Sequence, residues 1–325
     1  MKKKKAARLA LCFSFFVLNF PAHAQQPTKI PLIGRLNNSP NTARSDAFRA
    51  GLRELSYVEG KNIVVDDRNT EGKEDRMPAL VAELVRLKVA VIVTGGTGIT
   101  RAAKAATSTI PIVMTNDPDP VANGLVASLA RPGGNITGLA TLDPELSGKR
   151  LEILREVVPK LSRVAVLWNS TTPGTAPALR EIELVAKAFE VRLQYLDVQN
   201  PKDFEPAFRA AAKGRADGVL VLSGRIIGFQ RAQIVELAAK NRLPTIYPNS
   251  QFVEAGGLMF YGVNILDLDR RAAVYVDKIL KGRTPADLPV EQPMKFEFIV
   301  NLNAAKQIGL TFPPNVLVRA DRVIR

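Results

Sequence analysis

Short apolar runs alternate with helical patterns along most of the chain, and the alternation occurs twice. The runs are rich in β-branched residues, which is typical of strands buried on both faces of a parallel sheet. Three pairs of segments match in the same order, each offset by about 130 residues: VAVIVTGG at 89–96 with DGVLVLSG at 217–224, IPIVMTND at 110–117 with LPTIYPNS at 243–250, and IGRLNN at 33–38 with AVLWNS at 165–170. The sequence therefore predicts two copies of one βαβ plan.

The predicted elements follow this plan. Strands are expected at 30–36, 63–67, 89–94, 110–115 and 134–139, and again at 163–168, 192–198, 218–222 and 245–247. Helices are expected at 42–55, 77–87, 99–106 and 121–129, and again at 151–158, 176–189, 204–212 and 230–240. The last part adds strands at 258–261 and 296–300 and helices at 266–280 and 302–308. The fold class is α/β, with two Rossmann-like lobes built on parallel sheets.

The last part of the chain departs from simple duplication. If the helix at 266–280 returns to the first lobe and the strand near residue 296 crosses back, three segments join the lobes and form a hinge. We predict a first lobe of residues 28–138 plus 263–288, and a second of residues 139–262 plus 289–325. A chain of this length usually exceeds one hydrophobic core, which agrees with two lobes.

The N-terminal residues are predicted to be a signal peptide. Lys2 to Lys5 and Arg8 precede an apolar run that reaches Phe20, and Ala22-His23-Ala24 is an A-x-A cleavage pattern. The run is shorter than the roughly 20 residues that a membrane-spanning helix needs. We therefore expect residues 1–24 to be removed and the mature chain to lie in the periplasm without stable membrane insertion.

Cysteine and histidine are confined to this segment, as Cys12 and His23. The mature chain is thus expected to lack disulfides, cysteine nucleophiles, Ser-His-Asp triads and ordinary zinc sites. We predict no metal, no cofactor and no enzyme activity. Removing the segment lowers the formal net charge from +14 to +9, because it holds five basic residues and no acidic ones. Lysine and arginine are dispersed among acidic residues, which argues against nucleic acid as a partner.

Four segments carry a family resemblance: GLVASLARPGGNITGL at 124–139, VAVLWN at 164–169, KILKGRTPADLPVEQP at 278–293 and NLNAAKQIGLTFPP at 301–314. Together they resemble the ABC transporter substrate-binding proteins of the tryptophan/tyrosine-type family. The resemblance implies a type I periplasmic binding protein, whose lobes, joined by a three-segment hinge, capture a small molecule in a cleft. It also implies delivery to an ABC permease with its ATPase, and amino acids or related compounds as one ligand class.

The resemblance places a ligand residue at Asp119, which is followed by Pro120 and Val121 as in the family's Asp-Pro-Val loop. Its carboxylate suits a ligand ammonium, but Asp119 is equally well placed to cap the helix predicted after it. Gly96 and Thr97 stand at another predicted helix start, where exposed N–H groups favour an anion such as a ligand carboxylate. Gly96 and Thr97 are equally suited to an ordinary tight turn between a strand and a helix, with no role in ligand binding.

Ligands of open α/β sheets bind beyond the carboxyl ends of strands, and this rule supplies the remaining candidates. Trp168 could cover an apolar or aromatic ligand, with core packing as the competing interpretation. Polar or aromatic residues at other predicted strand ends complete the set: Asn37, Asn38, Ser39, Asn169, Ser170, Ser223, Tyr247, Asn249 and Asn264.

Two further functions share some of these features. Asp117 and Asp119 could form the carboxylate pair of an exported hydrolase or isomerase, although no partner base stands at a suitable spacing. A sensory receptor that passes its bound state to a membrane kinase or chemoreceptor would have the same fold and site. The sequence does not distinguish that receptor from a transport protein.

Overall fold

The computed structural model of the protein describes residues 30–38, 40–172 and 175–325. The predicted signal peptide at 1–24 lies outside these described residues. Among the described residues, no helix is both long enough and apolar enough to cross a bilayer.

The strands form two sheets. The first contains β1 (Leu32–Asn37), β2 (Val64–Asn69), β3 (Val91–Gly95), β4 (Ile112–Asp117) and β5 (Ile136–Ala140). The second contains β6 (Arg163–Trp168), β7 (Arg192–Asp197), β8 (Gly218–Val221), β9 (Thr245–Tyr247), β10 (Met259–Val263), β11 (Phe296–Asn301) and β12 (Arg322–Ile324). The strand orders are β2-β1-β3-β4-β5 and β12-β11-β10-β9-β8-β6-β7. Only β10 and β11 pair antiparallel among these strands, so the predicted α/β class with two parallel-sheet lobes is confirmed.

The helices cover both faces of each sheet. They are α1 (Thr42–Glu54), α2 (Met77–Arg86), α3 (Thr97–Ala106), α4 (Asp143–Val157), α5 (Thr175–Ala188), α6 (Phe204–Lys213), α7 (Arg225–Phe229), α8 (Arg231–Lys240), α9 (Ser250–Glu254), α10 (Ile265–Leu280), α11 (Leu302–Ile308) and α12 (Pro314–Leu317). On the first sheet, α1 and α10 cover one face and α2 and α3 the other. On the second sheet, α4, α5 and α11 lie opposite α6 and α8.

The helix predicted at 121–129 is wrong. A single turn begins where the sequence indicates, because Asp119 Oδ1 accepts the Ala122 N–H at 3.0 Å. Gly124 then adopts φ +66°, a left-handed conformation that commonly ends helices. The N–H groups of Leu125 and Val126 both return to the Pro120 carbonyl, and both side chains are buried in the first-lobe core. The free energy gained by burying these two side chains therefore exceeds that of continuing the helix. The prediction also omitted α7, α9, α12 and β12, which are all short.

Helices α1 and α10 are in close contact. An ideal Cβ placed on Gly51 would lie 2.2 Å from the Arg270 carbonyl oxygen and 2.9 Å from Ala273 Cβ. Glycine at this position lets the two backbones approach. The chain thus leaves the second sheet at β10 and packs α10 on the first sheet.

Gly51→Ala should destabilise the protein, because the added methyl group has no space between α1 and α10. We expect the free energy of unfolding to fall by about 1–3 kcal/mol, the usual cost of overpacking. Gly98→Ala is the matched control, since it also lies within a helix and its new Cβ would meet only Met77 Cε, at 3.7 Å. The control should be neutral or gain up to about 1 kcal/mol from helix propensity. Urea unfolding of both variants measures the difference, and equal midpoints would contradict this account of the contact.

Candidate functional site

The carboxyl ends of β1, β3 and β4 form one edge of the first sheet, which we call the first-lobe edge. It brings together Asn37, Asn38, Gly96, Thr97, Asp117 and Asp119, while Ser39 lies outside the described residues. Asn37 is paired in register with Gly95, and a Cβ on Gly95 would lie 2.1 Å from the side-chain amide of Asn37. A Cβ on Gly96 would lie 3.5 Å from Asn38 Nδ2. The glycines after β3 therefore make room for the asparagines after β1.

Asp117 is fully buried at the end of β4. Its Oδ1 accepts the Asp119 N–H at 3.0 Å and Asn123 Nδ2 at 2.9 Å, whereas Oδ2 has no hydrogen-bond partner among the described residues. Burial raises the pKa of the Asp117 carboxyl, and the hydrogen bonds from the Asn123 amide and the Asp119 N–H oppose the rise. A role of Thr97 at a ligand carboxylate stays a prediction.

Asp119 is half-buried and serves as the cap that the sequence indicates. Its Oδ1 holds the Ala122 N–H, and Oδ2 makes no hydrogen bond within the part of the chain that the structure describes. Binding of a ligand ammonium by that second oxygen stays a prediction.

The carboxyl ends of β6, β8, β9 and β10 form the second-lobe edge. Trp168 is half-buried against the core, and its Nε1 lacks a hydrogen-bond partner among the described residues. Asn169 is saturated, because Nδ2 donates to the Val198 carbonyl at 2.6 Å and Oδ1 accepts the Thr171 N–H at 3.0 Å. Ser170 donates its hydroxyl to Asp197 Oδ2 at 2.7 Å. Asn169 and Ser170 therefore hold the loop after β6.

The remaining candidates of the second-lobe edge differ in exposure. Tyr247 is buried and its ring stacks on Phe252 with the centroids 4.8 Å apart, so the structure places it in the core, where it presents no surface to a ligand. Asn264 caps α10 by accepting the Asp267 N–H at 3.0 Å. Asn249 precedes α9, and its buried Oδ1 has no partner among the described residues. Ser223 is half-buried after β8.

Sequence reasoning missed a chain of ion pairs in the first lobe, which we call the ionic chain. Arg44 Nε lies 2.5 Å from Asp269 Oδ2, and Arg35 joins Asp269 Oδ1 at 3.5 Å to Asp67 Oδ2 at 3.0 Å. Arg49 continues the chain to Glu59. Arg35 gave a signal, since a charged residue inside an apolar strand run requires a buried partner. Asp269 is 225 residues from Arg44 along the chain and gave none.

The two lobes also touch directly, through a group of four residues that we call the clasp. Arg225 of α7 donates Nη1 to the Gly72 carbonyl at 2.9 Å, and its Nε lies 2.6 Å from Glu74 Oε1. A Cβ on Gly72 would lie 2.8 Å from the Phe229 ring. Gly72 follows the carboxyl end of β2 and Arg225 follows that of β8. The carboxyl ends of the two sheets therefore face each other.

The segment that leads back into the second sheet is bonded to the first. Glu291 donates its N–H to the Gly138 carbonyl and accepts the Ala140 N–H, both at 3.0 Å. Thr137 Oγ1 donates to the Leu288 carbonyl at 2.6 Å. These contacts lie along β5, the outermost strand on one side of the first sheet. The outermost strand on the other side is β2, and the clasp residues Gly72 and Glu74 follow it.

Known proteins share this architecture. A family model described as ABC transporter substrate binding protein matches residues 30–324. A tyrosine-binding protein of Clostridioides difficile is 26% identical over 263 residues, which are 81% of this chain and 75% of that protein. A conserved domain protein from Vibrio cholerae superposes with a TM-score of 0.84 at 27% identity, over 91% of this chain and 100% of that one. An ABC domain in complex with L-Trp from Streptococcus pneumonia has a TM-score of 0.81 at 23% identity, over 90% and 100%.

Asp117→Asn should change how stability depends on pH. Because burial raises the pKa of Asp117 above its ordinary 3.8, the folded state holds this proton more tightly than the unfolded chain does. The stabilisation is complete below the ordinary pKa and is lost as pH rises through the raised one. The free energy of unfolding of the wild type should therefore fall relative to Asp117→Asn as pH increases from about 4 to about 8. Urea unfolding across that range measures it, and parallel curves for the two proteins would contradict the assignment.

Proposed function

The chain belongs to the ABC transporter substrate binding protein family, and from this premise we propose that it captures an amino acid or a related compound in the cleft between its lobes. The observation that supports the proposal is the clasp, because its residues follow the carboxyl ends of β2 and β8. Small molecules bind at such ends in open α/β sheets. The captured molecule is passed to an ABC permease driven by its ATPase.

The ligand class rests on the relatives and on the residues of both edges. A relative in Clostridioides difficile is named for tyrosine, and a structural neighbour holds L-Trp. In this chain Asp119, Asn38 and Asn249 supply polar groups, while the half-buried Trp168 supplies an aromatic ring. Such a mixture of a few polar groups with an apolar surface is typical of small-molecule sites.

Closure is proposed to occur at the three connections between the lobes. These are the exits from β5 and β10 and the segment that enters β11, which lie close to the boundaries of the predicted lobes, 28–138 plus 263–288 and 139–262 plus 289–325. The third connection remains hydrogen-bonded to β5 as far as Glu291. Bending there would separate the sheet ends that carry the clasp.

We propose that the chain has no catalytic role and that its N-terminal signal directs it to the periplasm. Asp117 is bonded to the backbone of Asp119, and Asp119 caps a turn, so the two carboxyls are not arranged as a free acid and base. This arrangement disfavours the hydrolase or isomerase. A sensory role would use the same cleft, and reconstitution with permease and ATPase would separate it from transport.

A thermal-shift screen of the mature protein with amino acids, nucleosides, sugars and small carboxylates tests the proposal. A compound that binds only the folded state should stabilise it by about 2.7 kcal/mol at 100 times its dissociation constant. L-Tyrosine and L-tryptophan are the first probes. Emission of Trp168, the only tryptophan, reports in the same samples whether its ring lies near the bound compound. A screen in which no compound stabilises the protein would contradict the proposed function.

Arg225→Ala should weaken binding of the strongest compound from that screen without altering any proposed ligand contact. Loss of one exposed ion pair and one hydrogen bond should destabilise the closed form by about 1 kcal/mol relative to the open form. The affinity should therefore fall about threefold to tenfold. Arg231→Ala is the matched control, because Arg231 contacts the Gly228 carbonyl in its own lobe. Calorimetry measures the affinity of both variants and of the wild type. Identical results for both variants would exclude the clasp from closure.

A further inference from the structure

The ionic chain has a direction. It alternates in sign through Glu59, Arg49, Asp67, Arg35, Asp269 and Arg44. Its outer end is the exposed carboxylate of Glu59, and its centre is buried, with Arg35 and Asp269 at 2% and 1% side-chain exposure. The inner end is a guanidinium. The ionic chain therefore ends in a positive group inside the first lobe.

That terminus lies at the first-lobe edge. Arg44 Nη2 donates to the Thr115 hydroxyl of β4 at 3.1 Å, and a Cβ on Gly95 at the end of β3 would lie 3.5 Å from the same nitrogen. Arg44 lies in the first turn of α1, and α1 follows the carboxyl end of β1. The guanidinium thus stands beside the ends of three neighbouring strands.

The guanidinium is held on one side and open on another. Asp269 binds Nε and Nη2 in a bidentate pair, at 2.5 and 3.0 Å. Nη1 makes no hydrogen bond to any of the described residues, whereas Nε and Nη2 do. The side chain as a whole is 16% exposed. A nearly buried guanidinium with one free nitrogen has a donor ready for an incoming acceptor.

We propose, on the basis of the proposed function, that Arg44 binds an anionic group of the captured molecule, in particular a carboxylate. Arginine suits this role because its charge is permanent and Nη1 can donate to a carboxylate while Nε and Nη2 bind Asp269. The pair with Asp269 fixes the guanidinium before binding, so less conformational entropy is lost when the acceptor arrives.

Arg44 also joins α1 to α10, so a loss of stability in a variant would not identify a binding role. The decisive comparison therefore changes the ligand. Calorimetry on the wild-type mature protein should compare L-tyrosine with L-tyrosinamide, L-tryptophan with L-tryptophanamide, and every acid found in the screen with its amide. The acid should bind at least tenfold more tightly than the amide, because the amide lacks the negative charge.

Variants then assign that preference to one residue. Arg44→Gln should lower the affinity for the acid at least tenfold and bring the acid and the amide within about threefold of each other. Arg53→Gln, an exposed position on the same helix, should retain the wild-type ratio. Arg44→Lys keeps the charge and should retain part of the preference, and it replaces Arg44→Gln if that variant does not fold.

The outcomes separate this proposal from the function on which it rests. Equal binding of acid and amide by the wild type overturns the role of Arg44 and leaves the proposed function intact. An acid preference that survives in Arg44→Gln, even with a lower unfolding midpoint, shows that Arg44 only joins two helices. Absence of binding by any compound to the wild type overturns both.

Discussion

The packing of α10 on the first sheet is the contact on which the arrangement of both lobes depends. The helix follows a strand of the second sheet, yet Leu268, Ala272 and Val276 on its apolar face are buried against the first. The chain must therefore cross between lobes before and after α10, and β5 already provides one crossing. Close approach at Gly51 fixes the depth at which α10 sits. Without this packing, the two sheets would be joined by a single connection.

The same helix determines the electrostatics of the cleft. Asp269 faces inward from α10 and is completely buried, and an unpaired carboxylate in that position would cost several kcal/mol. Arg35 and Arg44 supply the opposite charge from a strand and a helix that are distant in sequence. The negative charge of Asp67 then balances the positive charge of Arg35. Arg49 and Glu59 continue the series of alternating charges to the protein surface. A helix that follows a strand of the second sheet thus positions a charged group at the proposed binding edge.

The sequence predicted the fold to the extent that local pattern determines it. Apolar runs of β-branched residues identified β6, β9 and the other central strands, because burial on both faces leaves a strong signal. The helix-start pattern failed at 121–129: Asp119 does cap a turn, but the burial of Leu125 and Val126 ends the helical conformation after that turn. Tyr247 stands at a strand end, yet its ring turns into the core beside Phe252. Contacts such as Arg44 with Asp269 join distant segments and leave no local pattern.

The clasp is too weak to hold the lobes closed by itself. An exposed ion pair contributes about 0.2–1 kcal/mol and a hydrogen bond about 1 kcal/mol, whereas a shift from 1% to 99% closed requires about 5.5 kcal/mol. Arg225 and Glu74 are both exposed, which places their pair in this weak range. In the proposed closure, most of the free energy would therefore come from a molecule that contacts both edges at once. A weak clasp suits a receptor, since a strong one would close the cleft before anything had entered it.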